Sequence, residues 1–143
     1  MTHTTFDLQA HLPYLLRRAH FAADAIFSQV YGTDFTSRQL ALLVAIAQRP
    51  GISQSQAAQE IGLDANTCSD LVMRAIGKDL LRRERSPVDA RQFCLHLTPA
   101  GEAVLAHGLA LAREYQAEVA RRLSEAEREQ LAALLRKMLD FGG

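Results

Sequence analysis

The chain lacks tryptophan, has two cysteines among its 143 residues, and draws 6% of its residues from the aromatic types. Two cysteines, Cys68 and Cys94, predict no disulfide framework of the kind that small secreted domains use. No N-terminal segment has the composition of a signal peptide, and no apolar run approaches the roughly 20 residues that a membrane span needs. We therefore expect a cytoplasmic protein.

A surplus of charge of either sign is also missing, because 16 lysines and arginines balance 16 aspartates and glutamates. A nucleic-acid-binding protein often carries a basic excess, which raises affinity through counterion release. Here the basic residues concentrate locally, since residues 82–91 hold four arginines against one glutamate and one aspartate. DNA binding would therefore rest on this short segment and on helix ends.

The motifs of the common catalytic and metal sites are absent as well. The sequence has no His-Glu-x-x-His, no paired cysteines, no acidic cluster at ligand spacing, no serine elbow and no phosphate-cradling glycine loop. The five histidines are scattered along the chain. We expect no metal, no cofactor and no enzymatic activity.

What the chain does contain favours helices. Hydrophobic residues make up 48% of the sequence, which is enough for one domain to bury a core, here taken as residues 1–143. Apolar residues at spacings of three and four predict an amphipathic helix from about Asp7 to Tyr31, with Pro13 in its first turn and Gly32 at its end. A threonine followed by proline, Thr98-Pro99, predicts the start of a helix that reaches about Leu123.

Three capping boxes, each a serine or threonine followed three residues later by glutamine or glutamate, mark further helix starts. They are Thr36 with Gln39, Ser53 with Gln56, and Ser124 with Glu127. The first of these helices should bury the face formed by Leu40, Leu43, Val44 and Ala47. The last should carry an apolar stripe of Leu131, Leu134, Leu135, Met138 and Phe141.

The centre of the chain, residues 53–98, has the pattern of a winged helix-turn-helix. Gly62 suits the left-handed turn between two short helices, and Asp64 caps the second of them. Its inward side should consist of Cys68, Leu71, Val72 and Ala75. Its outward side would then present short polar side chains that can lie close to base edges. A hairpin follows, in which Arg83 and Arg85 share one face and Arg82 lies on the other.

In these features the sequence resembles the MarR family of bacterial transcription regulators, over nearly the whole chain. The resemblance rests on the order and spacing of several short motifs: Thr36-x-x-Gln39, Ser53-x-x-Gln56, Gly62-Leu63-Asp64, Asn66 to Val72, Leu80-Leu81-Arg82-Arg83, Asp89-Ala90-Arg91, and Leu95 to Gly101. Two departures stand out. Asp79 replaces a common glycine before the first strand, and the wing has Arg91 alone after Asp89. Aspartate tolerates the left-handed conformation better than most residues.

The resemblance implies a mainly α-helical fold: a winged unit at residues 33–99 and dimerisation helices at 7–31 and 100–141. It further implies a homodimer on a pseudo-palindromic operator, with recognition helices in successive major grooves and wings at the flanking minor groove or backbone. The candidate DNA-binding residues are Ser53, Gln54, Ala65, Asn66, Thr67, Ser69, Asp70, Met73, Arg74, Arg83, Arg85, Asp89 and Arg91. The alternative is an ordinary solvated helix face and turn. Asp70 would repel phosphate, which leaves it an orienting or base-contacting role, or simple exposure.

Members of the family often release DNA when a small aromatic or phenolic ligand binds beside the dimerisation helices. The corresponding candidates here are His11, Tyr14, Leu15, Arg18, Phe21, Ala22, Arg38 and Tyr115. Aromatic rings beside histidine and arginine suit an aromatic carboxylate or its acyl-thioester conjugate. The alternative for each residue is a place in the core or the dimer interface.

Together these features predict a ligand-responsive repressor of nearby catabolic, efflux or stress genes. The competing hypothesis is a helical dimeric interaction or ligand-binding protein that has the same fold but does not bind DNA specifically. The neutral charge balance and the sparsely charged wing keep this alternative open.

Overall fold

The computed structural model describes residues 4–141, which form a mainly helical fold with one small sheet. A single 3-10 turn at Leu8–Ala10 precedes the helices. In chain order the elements are α1 (Leu12–Tyr31), α2 (Ser37–Gln48), α3 (Gln54–Ile61), α4 (Ala65–Gly77), β1 (Leu81–Arg85), β2 (Phe93–Leu97), α5 (Pro99–Val119) and α6 (Glu125–Met138). The predicted fold class is confirmed. Within the described part of the chain, no helix is long and apolar enough to cross a membrane.

The chain divides into two compact units. Residues 27–112 form the winged unit, and the described parts of residues 1–26 and 113–143 form the helical unit. The winged unit includes the end of α1 and the first part of α5 as well as residues 33–99. Phe27 is buried and stacks on Tyr31 with ring centroids 4.1 Å apart, and the Tyr31 hydroxyl donates to the Gly108 carbonyl at 2.8 Å.

The helix starts predicted from capping boxes are confirmed. In each box the side chain of the capping residue (Thr36, Ser53 or Ser124) accepts a hydrogen bond from the backbone N–H three residues later. The glutamine or glutamate side chain at that later position accepts a hydrogen bond from the backbone N–H of the capping residue. Pro13 lies in the first turn of α1, and Pro99 is the first residue of α5. These starts are set by neighbours within four residues, so the local sequence is enough to find them.

Two predicted helix limits were wrong. The regular helix α1 begins at Leu12 rather than near Asp7, because Asp7 caps the separate 3-10 turn by accepting from the Gln9 N–H at 3.0 Å. Helix α5 ends at Val119 rather than at Leu123. Residues 120–123 form a turn that leads into the extended backbone of the α6 cap, and apolar periodicity carries no signal for such a turn.

The core lies in the winged unit, where α2, α3, α4 and the hairpin meet. The buried face of α2 was predicted in part, since Leu43 is buried and Leu40 and Val44 pack against the core. Leu42, Leu43, Ala45 and Ile46 are buried, whereas Leu40 and Val44 are half-buried and Ala47 is exposed. Since α2 is contacted by α3, by α4 and by β2, its buried surface is broader than the single stripe that one packing partner would produce.

The two strands pair antiparallel, with Leu81 opposite Leu97, Arg83 opposite Leu95 and Arg85 opposite Phe93. Near the core this face carries the fully buried Leu95, and farther out it carries the arginines. The Leu95 backbone also bonds to the segment before α3, donating to the Ile52 carbonyl at 2.9 Å and accepting from the Gly51 N–H at 3.0 Å. The hairpin is thereby tied to the helix-turn-helix.

The start of α5 contacts the backbone between α4 and β1 directly. A Cβ on Gly101 would lie 1.8 Å from the Leu80 carbonyl oxygen, so this contact needs glycine. Thr98 donates its N–H to the same oxygen at 3.1 Å. Asp79, just before, has φ of 59° and provides the left-handed exit from α4 that the sequence predicts. The end of α4, the wing and α5 are thus joined at one point.

Candidate nucleic-acid interface

Helix α4 begins at a well-formed cap. Gly62 ends α3 with φ of 72°, and Asp64 then caps α4. One carboxylate oxygen of Asp64 accepts from the Thr67 N–H and the other accepts from the Thr67 hydroxyl, both at 2.8 Å. These bonds favour the ionised carboxylate and so lower the pKa of Asp64. The cap sets where α4 begins and therefore which residues face outward.

The two sides of α4 differ as the spacing predicts. Its inward residues Cys68, Leu71, Val72 and Ala75 are all buried, as expected. On the other side five of the predicted DNA-binding residues are exposed: Ala65, Asn66, Asp70, Met73 and Arg74. Ser69 is half-buried beside them, and Thr67 is half-buried because its hydroxyl is engaged by the cap. The outward surface of α4 thus carries mostly short or polar side chains that take no part in the core.

The polar side chains at the start of α3 are more engaged by contacts within the chain than those on the outward side of α4. The Ser53 hydroxyl accepts from the Gln56 N–H at 3.1 Å and contacts the Ser55 hydroxyl at 3.3 Å. Gln54 is half-buried, and its side-chain oxygen is enclosed without a hydrogen-bond partner among the described residues. Its carbonyl accepts from the Cys68 thiol at 3.8 Å. Burial raises the pKa of this thiol and so disfavours the reactive thiolate.

A small cavity of about 190 Å³ joins α3, α4 and the wing. Its lining residues are Gln54, Ser55, Ala58, Ala65, Cys68, Arg91, Gln92 and Phe93. The fold therefore places Arg91 of the wing near the start of α4, although Arg91 and Ala65 are 26 positions apart in the sequence. Sequence spacing alone does not reveal this neighbourhood.

Arg91 is held at the edge of the wing by Asp89. The Arg91 Nε donates to Asp89 Oδ1 at 3.2 Å, and the Arg91 backbone N–H donates to the same oxygen at 3.0 Å. The Arg91 side chain is 91% exposed, so the guanidinium is aimed by the pair and still open to a further partner.

Arg83 and Arg85 share a face of the sheet, as predicted, and both stack on Phe93. Their guanidinium carbons lie 4.0 and 5.2 Å from the centre of its ring. Arg85 also donates to the Ala90 carbonyl at 2.7 Å. Sequence reasoning missed Phe93 as a platform for arginine, because the contact depends on the register between the strands.

The opposite face of the hairpin holds a small charged network. Glu84 accepts from Arg82 at 3.2 Å through one oxygen and pairs with His96 Nε2 at 3.0 Å through the other. Arg82 and His96 also line a cavity of about 410 Å³ against α2 and α5, together with Ile46, Ala47, Pro50, Leu97, Glu102, Leu105, Ala106 and Leu109. None of these residues was among the predicted ligand-binding positions. Cavities of this size hold small organic ligands.

Most of the predicted ligand-binding residues lie in the helical unit, where Tyr14 and Arg18 contact each other. An Arg18 N–H donates to the Tyr14 hydroxyl at 2.6 Å, and the guanidinium carbon lies 5.6 Å from the ring centre. Tyr14 is half-buried, while His11, Leu15, Arg18, Phe21 and Ala22 are exposed. Tyr115 uses its hydroxyl to donate to the Ala23 carbonyl at 3.1 Å. Arg38 is exposed in the winged unit.

Comparison with known proteins identifies this arrangement of helices and wing. A sequence profile of the MarR family matches residues 33–92. The chain is 33% identical over 134 residues to a putative transcriptional regulatory protein for the hcr operon of Thauera aromatica, which covers 92% of this chain and 81% of that protein. The chain belongs to the MarR family. It is a transcriptional regulator of that family.

Two solved structures of transcriptional regulators extend the likeness beyond the winged unit. One is from a study of how 6-hydroxynicotinic acid regulates DNA binding by BpsR of Bordetella bronchiseptica. It is 28% identical to this chain, covers 96% of it and 99% of BpsR, and has a TM-score of 0.90. The other is the transcriptional repressor CouR bound to a 23-mer DNA duplex. It is 26% identical, covers 97% of this chain and 99% of CouR, and has a TM-score of 0.85.

Within residues 4–141, no three histidine, cysteine, aspartate or glutamate residues come together in a group that could hold a metal ion. The chemistry at the interface is instead that of hydroxyls, an amide and arginines around one helix and one wing. Such groups recognise base edges and phosphates.

Proposed function

We propose that this regulator is a dimeric repressor that binds a pseudo-palindromic operator through α4 and the wing. The observation that carries the proposal is the outward side of α4, where Asn66, Asp70, Met73 and Arg74 are exposed and Ser69 lies beside them. The cavity shared with Arg91 puts the wing next to the start of this helix. A helix in a major groove and a wing beside it can then act on adjacent parts of one half-site.

The chemistry of α4 suits base-edge contact better than general attraction to DNA. Asn66 can pair with an adenine edge, Ser69 can donate or accept, and Arg74 can reach guanine or phosphate. Asp70 opposes phosphate, which limits non-specific binding. With a net charge of zero, affinity should come from shape and base contacts together with a few arginines.

Dimerisation is supported by the apolar side chains that the helices of a single chain leave in solvent. In the helical unit Leu12 is 60% exposed, Phe21 59%, Leu134 56% and Phe141 64%. Large exposed apolar side chains that gather into a patch mark surfaces of protein–protein interaction. Pairing through the N- and C-terminal helices would cover them and set the spacing of the two recognition helices.

The effector we propose is a small aromatic acid or its acyl-thioester conjugate. The support is the relation to BpsR, whose DNA binding is regulated by 6-hydroxynicotinic acid, and the Tyr14–Arg18 pair with His11, Phe21 and Tyr115 in the same unit. The remaining candidates are Leu15, Ala22 and Arg38. Binding would relieve occlusion of the promoter by favouring a spacing of the α4 helices that does not match the operator.

A titration of the dimer with DNA from upstream of its own gene tests the proposal. We expect sequence preference, a salt dependence, and a large loss of affinity for Ser69→Ala combined with Arg74→Ala. Arg121→Ala, which removes an exposed arginine from the turn before α6, is the matched control and should bind normally. Unchanged affinity for the double variant with an intact dimer would exclude α4 as the reading helix.

The same titration distinguishes the proposed repressor from a protein with the competing function. A helical interaction protein with this fold would bind all duplexes equally weakly, with no preference for the upstream fragment. The zero net charge and the single arginine after Asp89 are the observations that favour this second candidate.

A further inference from the structure

The tip of the wing presents an apolar side chain to solvent. Val88 is 94% exposed, more than any other large hydrophobic residue in the described part of the chain, where Phe141 follows at 64%. Isolated apolar residues are common on protein surfaces and need no explanation by themselves. Val88 differs from such residues because hydrogen bonds fix the backbone of the loop that carries it.

The loop that carries Val88 is ordered by its own hydrogen bonds. The Ser86 hydroxyl accepts from the N–H groups of both Val88 and Asp89 at 3.2 Å. The Ser86 N–H donates to the Gln92 carbonyl, and the Gln92 N–H donates to the Asp89 carbonyl, both at 2.9 Å. Pro87 restricts the remaining freedom of the turn. Val88 therefore projects from a loop that loses little entropy when a partner covers it.

Positive charge is absent from the tip, residues 86–90, and lies beside it. Arg91 is aimed by Asp89 on one side, and on the other Arg85 donates to the Ala90 carbonyl. The arginines can reach phosphates along the edges of a groove, but the residue between them cannot neutralise charge. A contact by such a side chain would suit an apolar surface between two rows of phosphates.

The minor groove of DNA offers such a surface. Its walls are lined by deoxyribose C–H groups, and its floor carries acceptors at A·T pairs and an additional amino donor at G·C pairs. At an A·T pair an apolar side chain packs against the sugars and covers acceptors alone, whereas a G·C pair adds an amino group that projects into the groove. At a G·C pair it would cover the guanine amino group without accepting its hydrogen bond.

We propose that Val88 packs in the minor groove flanking each half-site and selects A·T over G·C pairs there. The proposal rests on the operator binding proposed above and adds a specificity-determining contact to it. Covering about half of a valine side chain predicts a contribution of roughly fivefold to affinity at each wing. Since no charge is involved, the dependence of affinity on salt should not change.

The test compares wild type, Val88→Ser and the control Ala90→Ser on operator duplexes that differ in the minor groove alone. Each flanking A·T pair is replaced in turn by 2,6-diaminopurine·T, which adds an amino group to the minor groove and leaves the major groove nearly unchanged. Wild type and Ala90→Ser should lose affinity at one or two flanking positions per half-site. Val88→Ser should bind the unmodified operator roughly 25-fold more weakly, which is roughly fivefold at each of the two wings, and should lose this sensitivity.

Three outcomes would contradict the inference. Val88→Ser could bind like wild type with the same profile across the flank. It could weaken binding with a shallower salt dependence, which would indicate an indirect effect on a phosphate contact. Ala90→Ser could reproduce its effect, which would assign the effect to the loop in general. If wild type prefers no upstream sequence, the proposed operator binding fails, and the contact falls with it. Thermal melting should be the same for all three proteins, because Val88 packs against little of its own chain.

Discussion

Replacing Arg91 by alanine should weaken operator binding and make it less sensitive to salt. The Arg91 side chain is 91% exposed, and Asp89 holds it through a single Nε–Oδ1 contact of 3.2 Å. An exposed ion pair of this kind is worth less than about 1 kcal/mol, so it orients the guanidinium without preventing a contact with phosphate. The guanidinium is therefore available to DNA, and its removal tests the wing directly.

The size of the effect follows from counterion release. Each phosphate neutralised on B-DNA adds about 0.9 to the slope of log affinity against log salt, which near 0.15 M salt corresponds to roughly fivefold in affinity. In a dimer with both wings engaged, Arg91→Ala should reduce the slope by about 2 and the affinity by roughly 30-fold. The fold should be unaffected because so little of the side chain is buried.

Fluorescence anisotropy with a labelled operator between roughly 50 and 200 mM salt measures both quantities. Arg82→Ala is the matched control, because Arg82 lies on the face of β1 opposite to Arg83 and Arg85 and pairs with Glu84. Asp89→Asn adds a second test. It keeps an acceptor for the Arg91 N–H and removes the negative charge, so non-specific duplex should bind more tightly and the preference for operator should narrow. An Arg91→Ala slope equal to that of wild type would refute the reasoning.

Three further predictions concern stability and reactivity. Leu95→Ala should lower the free energy of unfolding by about 2–5 kcal/mol, measured by denaturant titration, because Leu95 is fully buried; a loss below about 1 kcal/mol would mean that the wing adds little to the core. The pKa of Asp64 is lowered in the folded state. The stability that its ionised cap supplies is therefore present above pH about 4, the ordinary pKa of an aspartate, and is lost as the pH falls through the lowered pKa. Asp64→Asn keeps an N-cap without this titration and should flatten the acid side of the stability profile in melts between about pH 2 and 6; an unchanged profile would contradict the assignment. Since burial raises the pKa of the Cys68 thiol, a disulfide reagent should modify Cys68 in the folded protein more slowly than Cys94, and equal rates would contradict the buried position.

The elements that could be predicted are those governed by near neighbours in the chain. The caps at Thr36, Ser53, Asp64 and Ser124 are satisfied within three residues, so residue type and spacing were enough to place them. The left-handed exit at Asp79 follows from the same local logic. The inward side of α4 was also predictable, since its apolar residues form one uninterrupted stripe.

The features that could not be predicted depend on what lies across a contact. The buried face of α2 is broad because three elements pack on it. The spacing of residues within α2 does not indicate that these elements lie there. Phe93 became a platform for Arg83 and Arg85 through the register of the two strands. The approach of Gly101 to the Leu80 carbonyl, and the cavity that Arg91 shares with Ala65, each join residues more than 20 positions apart.

The sequence by itself determined the helices, their caps, the winged hairpin and the family. Helix caps and apolar periodicity depend on residues that lie a few positions apart in the chain, so residue type and spacing reveal them. Tertiary structure decided which of the predicted DNA-binding residues are open. It left Asn66, Arg74 and Arg91 exposed, and it left Ser69 half-buried. The physical reason is that exposure and side-chain pairing depend on the surfaces that other elements cover. Those surfaces exist once the chain has folded around α4.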